Sequence, residues 1–187
     1  MELLNTVLFW IAFYLLAWNA YILFFNRCVP NIPTIRPIRR KIIGLLCKEI
    51  EARPDSRPFK IYDLGSGNGV IARDMARELP EAEVTGLEIS RLALAHSRLK
   101  QRLFPVHNCR FLHRDYFEAD LSDADAVVIF GMSYVMRKLQ DKLPRELAPG
   151  TLIISNKFPF GPEWEPVEVY EVKSFAPHQK MLYIYRV

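Results

Sequence analysis

Cysteine is scarce in this 187-residue chain, and Cys28, Cys47 and Cys109 are odd in number and widely spaced. This excludes a disulfide framework and a thiolate zinc site, and agrees with a reducing compartment. The four histidines, His96, His107, His113 and His178, show no ligand spacing, so no metal is expected. No nucleophile–base–acid triad stands out, which leaves covalent catalysis unsupported. Internal repeats and low-complexity tracts are absent. The net charge is only +4 and owes much to one local cluster, so nucleic acid is not an expected partner.

Charge is missing altogether from Val7 to Phe25, where Asn19 is the one strongly polar residue. Nineteen helical residues at ~1.5 Å each reach about 28 Å, enough to cross a bilayer core. Trp10, Tyr14, Trp18 and Tyr21 lie at several depths and form no clean interfacial belt. A cleaved signal peptide does not fit, because the only early charge is Glu2 and Phe24-Phe25-Asn26-Arg27 is no cleavage site. A core helix apolar on all faces would be unusual in so small a domain. The segment is read as an uncleaved single-pass anchor. Arg27, Arg36, Arg39, Arg40 and Lys41 follow it, placing the N-terminus outside and the rest on the cytoplasmic or mitochondrial matrix side. These residues either set topology alone or also touch anionic headgroups.

The expected organisation is an anchor over 1–27, a linker and amphipathic helix over 28–53, and one domain over 54–187. The linker is punctuated by Pro30, Pro33 and Pro37; Ile38, Ile42, Leu45, Leu46 and Ile50 then recur at helical spacing. Strand and helix patterns alternate afterwards: Phe59–Asp63, Asn68–Leu79, Glu83–Leu87, Ser90–Leu103 with Ser90 as N-cap, Cys109–His113, Ala126–Phe130, Ser133–Leu147 and Thr151–Asn156. The rhythm predicts an α/β fold with a parallel sheet and helices on both faces. Val167–Phe175 and Lys180–Val187 have no room for a helix between them, so they predict a terminal antiparallel hairpin.

The informative junction is Lys60-Ile-Tyr-Asp-Leu-Gly-Ser-Gly-Asn-Gly69, with Glu88 about twenty residues on. It reads as a buried strand, a glycine-rich turn opening a helix, and a carboxylate closing the next strand. Such a turn suits a nucleoside with a carboxylate or phosphate tail. Asp63 can accept from an ammonium or from loop amides, and Glu88 is placed for ribose hydroxyls. Asp115 follows the third strand, within reach of an adenine amine. The spacing G-x-G-x-G, with an acid two residues ahead, departs from the G-x-G-x-x-G of nicotinamide sites.

The pattern Asp63-Leu-Gly65-Ser-Gly67-Asn-Gly69 resembles the first motif of class I S-adenosylmethionine-dependent methyltransferases, whose Rossmann-like sheet ends in an antiparallel hairpin. Phe130-Gly131-Met132, Lys138 to Leu147 and Lys157-Phe-Pro-Phe-Gly-Pro-Glu-Trp164 follow in order. This series, behind one hydrophobic segment, resembles the small membrane-anchored protein-lysine methyltransferases of mitochondria, which modify adenine nucleotide translocase and the ATP synthase c-subunit. The resemblance implies S-adenosyl-L-methionine as cofactor and a membrane protein as acceptor. It implies a binding set of Asp63, Gly65, Ser66, Gly67, Asn68, Gly69, Glu88, Ile89, Asp115, Tyr116 and Phe130. The loop would hold the methionine moiety. Ser133-Tyr134 departs from the family, so the acceptor's identity does not carry over.

A lysine acceptor must lose a proton, which at neutral pH costs about 4–5 kcal/mol from a pKa of ~10.4. An apolar mouth lowers that cost by disfavouring the cation. Tyr134, Phe160 and Trp164 are the expected acceptor-side residues, with Phe130 and Phe158 open to a core reading. Asp120, Asp123 and Asp125 are read as a solvated acidic turn before a base.

Overall fold

The computed structural model of the protein describes residues 2–25, 34–53, 57–173 and 180–187, and side chains within 19–25 lie outside that description. The elements are α1 (Glu2–Phe25), α2 (Arg36–Glu51), β1 (Phe59–Leu64), α3 (Val70–Glu78), β2 (Ala82–Glu88), α4 (Arg91–Leu103), β3 (Cys109–His113), β4 (Ala126–Ile129), α5 (Ser133–Glu146), β5 (Leu152–Asn156), β6 (Glu168–Glu171) and β7 (Met181–Arg186). Seven strands form one sheet in the order β3-β2-β1-β4-β5-β7-β6. The first five run parallel, and β7 inserts antiparallel between β5 and β6. The alternating pattern and the terminal hairpin are both met, although residues 174–179, which hold the end of the first expected strand and the joint expected over 176–179, lie outside the described residues.

Alternation along the buried strands divides the core. Ile61, Val84, Val128, Ile154 and Leu182 face α2, α3 and α4, whereas Leu64, Val127, Ile153 and Tyr185 face α5. The same parity carries Asp63 onto the first face, since it pairs in register with Val128. α3 starts at Val70 rather than at Asn68, because Gly69, its N-cap, takes φ +70° and cannot be a helical residue. Ser90 caps α4 as expected, its hydroxyl accepting from the Ala93 amide.

α2 has a fixed direction on the sheet. Glu49, near its end, pairs with Arg186, which also donates to the Gly150 carbonyl at the amino end of β5. Near its start, Arg39 pairs with Asp74 of α3, and Lys41 lies 3.6 Å from the Tyr170 ring centroid. Tyr170 is in register with Leu182, and Leu182 with Asn156 at the carboxyl end of β5. The amino end of α2 therefore reaches the carboxyl edge of the parallel strands, where ligands bind in such sheets.

The expected anchor falls on α1. Its side chains are described only as far as Trp18, and among the described residues no helix is long and apolar enough to cross a membrane. Leu8, Phe9, Trp10 and Ile11 are nonetheless exposed one after another, so the described side chains of α1 form no buried stripe.

Candidate functional site

β1 ends at Leu64 and the chain turns through Gly65-Ser66-Gly67-Asn68-Gly69 into α3. The three glycines take φ of +79°, +53° and +70°, the left-handed region that other residues resist. Gly65 and Ser66 amides both donate to the Leu87 carbonyl, at 2.9 and 3.0 Å, and tie the turn to β2. The glycines differ in what surrounds them. A Cβ on Gly69 would lie 2.5 Å from Phe111 Cζ, and one on Gly86 would lie 2.7 Å from Phe111 Cδ1. Those two positions are narrowed by the protein's own packing. Gly65 is exposed, and its nearest neighbour would be Tyr116 Cε1 at 3.9 Å, so this is the side open to a ligand.

Glu88 faces the turn. Its Oε2 accepts from the Gly67 amide and its Oε1 from the Ser90 amide, both at 2.7 Å. A carboxylate offers about four acceptor sites, so capacity remains for hydroxyls. Asp63 is buried, its Oδ2 has no partner, and burial, with the Glu88 charge adding, pushes its carboxyl up to about 7. Ser66 Oγ is also buried without a partner. Two orphaned oxygens beside an open glycine fit a ligand carrying an ammonium and further donors.

The other expected binding residues gather at the same edge. Asn68 and Ile89 are half-buried in the two loops, and the Ile89 carbonyl lies 3.0 Å from His113 Nε2. Asp115 shapes a turn: its Oδ1 accepts from the Phe117 amide, and its carbonyl accepts from Glu118 and Ala119. Tyr116 lies against Gly65, and burial raises its phenol, with the Asp115, Tyr134 and Glu88 groups adding. Phe130 is half-buried just beyond β4, and Tyr134 is exposed in the first turn of α5.

Phe160 and Trp164 pack on the α5 side of the sheet. Phe160 is 5% exposed, stacks on Trp164 at 4.8 Å, and meets Tyr185 edge-on at 4.7 Å. Its amide is tied to the same ring, donating to Tyr185 Oη at 3.0 Å. Tyr185 pairs with Ile153, well back from the end of β5 and on the α5 face. Phe160 is thus a member of the second core, and half-buried Phe158 and Trp164 pack against it. Asp123 and Asp125 lie at the opposite edge of the sheet. They hold Lys60, Arg57 and the Tyr62 hydroxyl near the amino end of β1. A cavity of about 880 Å³ lies at that far edge, lined by Pro58, Ala82 and Cys109, remote from the glycine turn. Among the described residues no three of His, Cys, Asp and Glu gather as a metal site.

Sequence reasoning does not single out Asn156. It ends β5 and is 1% exposed, and neither Nδ2 nor Oδ1 has a partner. The signal that could have found it is the one Asp63 and Glu88 carry, a polar residue closing a buried strand.

Comparison with known proteins agrees with this geometry. Residues 63–168 match the family model described as the ANTKMT methyltransferase domain. The chain is 28% identical over 151 residues to a protein-lysine N-methyltransferase of Saccharolobus islandicus, covering 78% of this chain and 88% of that protein. It is 31% identical over 144 residues to the human lysine N-methyltransferase of the ATP synthase c-subunit, covering 76% of this chain and 57% of that one. The chain thus spans little more than half of the human relative. Among solved structures, an RNA methyltransferase from Salinibacter ruber in complex with S-adenosyl-L-homocysteine superposes with a TM-score of 0.70 at 28% identity, over 83% of this chain and 94% of that one.

Proposed function

This chain belongs to the ANTKMT methyltransferase domain family, and on that premise we propose that it methylates a lysine of a membrane protein while held at the membrane by α1. It is an S-adenosylmethionine-dependent methyltransferase. When bound, S-adenosylmethionine would supply an electrophilic methyl on a sulfonium; the lysine would first lose its ammonium proton, and the neutral amine would then take the methyl together with the positive charge, leaving neutral S-adenosylhomocysteine.

The chain's own residues have separate tasks in this reading. Gly65 leaves the approach open, Asp63 and Ser66 offer unpaired oxygens, and Glu88 stiffens the turn while keeping acceptor capacity for the ribose. Phe130, Tyr134 and Tyr116 border the edge where the acceptor would enter. Their rings lower local polarity and so favour the neutral amine over the ammonium.

The observation that carries the lysine reading is the family match, with named lysine methyltransferases among the relatives. Membrane anchorage is supported by the uncharged run Val7–Phe25 and by consecutive exposed apolar residues in α1. The amino end of α2, where the chain enters the domain, lies at the same edge of the sheet as the glycine turn. An anchor joined there would confine the opening of the site near the bilayer surface and raise the effective concentration of acceptors in it. The basic residues Arg27, Arg36 and Arg40 support a catalytic domain on the cytoplasmic or matrix side.

The experiment is to incubate the full chain with membranes and radiolabelled S-adenosylmethionine. Label retained on protein, and located on lysine by mass spectrometry, is expected. Label extracted into organic solvent would replace the protein acceptor by a lipid or quinone.

A further inference from the structure

The unpartnered amide of Asn156 lies on the working face of the sheet. Register places Asp63, Val128 and Ile154 in one row across β1, β4 and β5. Asn156 is two residues further along β5 on the same face, beside the point where β4 gives way to Phe130. It is separated from β1 by one strand, about 10 Å from strand to strand. Asp63 and Glu88 belong to the β1–β2 side of this edge, so Asn156 stands on the side left for a second ligand.

Two features mark this position as more than packing. A buried amide with both ends unpaired is unfavourable, and such groups in native proteins are commonly satisfied by a ligand or an ordered water. The next residue, Lys157, is the only non-glycine among the described residues with positive φ, at +75°. Strain of that kind persists where surroundings over-determine the backbone, often at functional sites. The strained residue is held in place, its amide donating to the Met181 carbonyl at 2.8 Å.

We propose that Asn156 positions the acceptor, its Oδ1 accepting a hydrogen bond from the nitrogen that receives the methyl group. The inference rests on the amine-acceptor reading above. A neutral amide suits the task better than a carboxylate. It directs a lone pair by holding an N–H, yet adds no negative charge that would keep a lysine protonated. Its burial keeps bulk water from competing for the bond. Entry of the acceptor then satisfies the orphaned oxygen.

The test compares wild type with Asn156→Leu and Asn156→Asp as full-length proteins in detergent, using isolated membranes as acceptor. Asn156→Leu should lower kcat/KM about 10- to 100-fold, while the S-adenosylhomocysteine dissociation constant measured by calorimetry stays within about twofold. Asn156→Asp should recover part of the rate but move the alkaline rise of the pH–rate profile upward by about one to three units. In wild type labelled with ¹⁵N-asparagine, the side-chain amide signal lost in Asn156→Leu should shift when n-butylamine is added to the S-adenosylhomocysteine complex. Wild-type turnover by Asn156→Leu, or an amide signal indifferent to the amine, would assign Asn156 to an internal water only. Loss of folding or of S-adenosylhomocysteine binding in both variants would make its role structural and overturn the proposal. A lipid acceptor in wild type would sink the lysine reading separately, because the variants are then compared on that lipid.

Discussion

The Gly67 amide donates to Glu88 Oε2 at 2.7 Å, so the carboxylate that closes β2 also fixes the turn that follows β1. Its second oxygen is bonded to the Ser90 amide, at the start of α4. One side chain therefore couples both loops of the cofactor edge. Its capacity for a ribose comes in addition to that work.

Replacing Glu88 should then damage binding and stability together. Glu88→Ala removes two charge-assisted bonds, each worth about 1.5–3 kcal/mol. S-adenosylhomocysteine affinity should fall more than tenfold, with a lower unfolding temperature. Glu88→Gln should lose affinity too, because its NH₂ would face an amide donor. Calorimetry checks this, and wild-type affinity in either variant would contradict the assignment.

The loop glycines should not respond alike to alanine. Gly65→Ala meets only backbone strain, about 1–2 kcal/mol in the left-handed region. Gly69→Ala adds an overlap with Phe111, since its Cβ would lie 2.5 Å from Cζ, and overpacking costs about 1–3 kcal/mol more. Denaturant unfolding should rank Gly69→Ala as clearly the less stable. Equal losses would show that Phe111 yields freely.

Asp63 gives a pH dependence with a definite sign. Its folded value, raised to about 7 by burial and by Glu88, exceeds the ordinary 3.8. The folded state therefore holds the proton more tightly than the unfolded state between those values. The contribution is fully present below about pH 4 and is lost as pH rises through about 7, amounting to at most about 4 kcal/mol. Asp63→Asn should flatten that part of the stability profile. Binding of S-adenosylhomocysteine, which carries an ammonium, should strengthen over the same rise in wild type. A pH-independent difference between the two proteins would remove Asp63 as the titrating group.

Phe160 should behave as a core residue. Phe160→Ala should cost about 3–5 kcal/mol of stability through loss of its contacts with Trp164 and Tyr185. Tyr185→Phe, which leaves the Phe160 amide unpaired, should cost about 1–3 kcal/mol. Stability is read by thermal unfolding. A stable Phe160→Ala variant with impaired turnover would restore the acceptor role.

The amino-acid order by itself determined the layered α/β architecture, the terminal hairpin, the glycine turn and the facing Glu88. Each is a local signal: hydrophobic period, turn-forming residues, or a carboxylate at a strand end. Tertiary structure alone decided where the loop after β5 goes. Trp164 and Phe160 stand close to a strand's carboxyl end in sequence, yet Tyr185, from the last strand, draws them onto the α5 face. It also decided that Gly69 serves Phe111, that Asp123 and Asp125 belong to the opposite edge, and that Asn156 shares a face with Asp63. Those facts depend on contacts between distant segments, which local periodicity does not encode because only the folded sheet brings the strands into register.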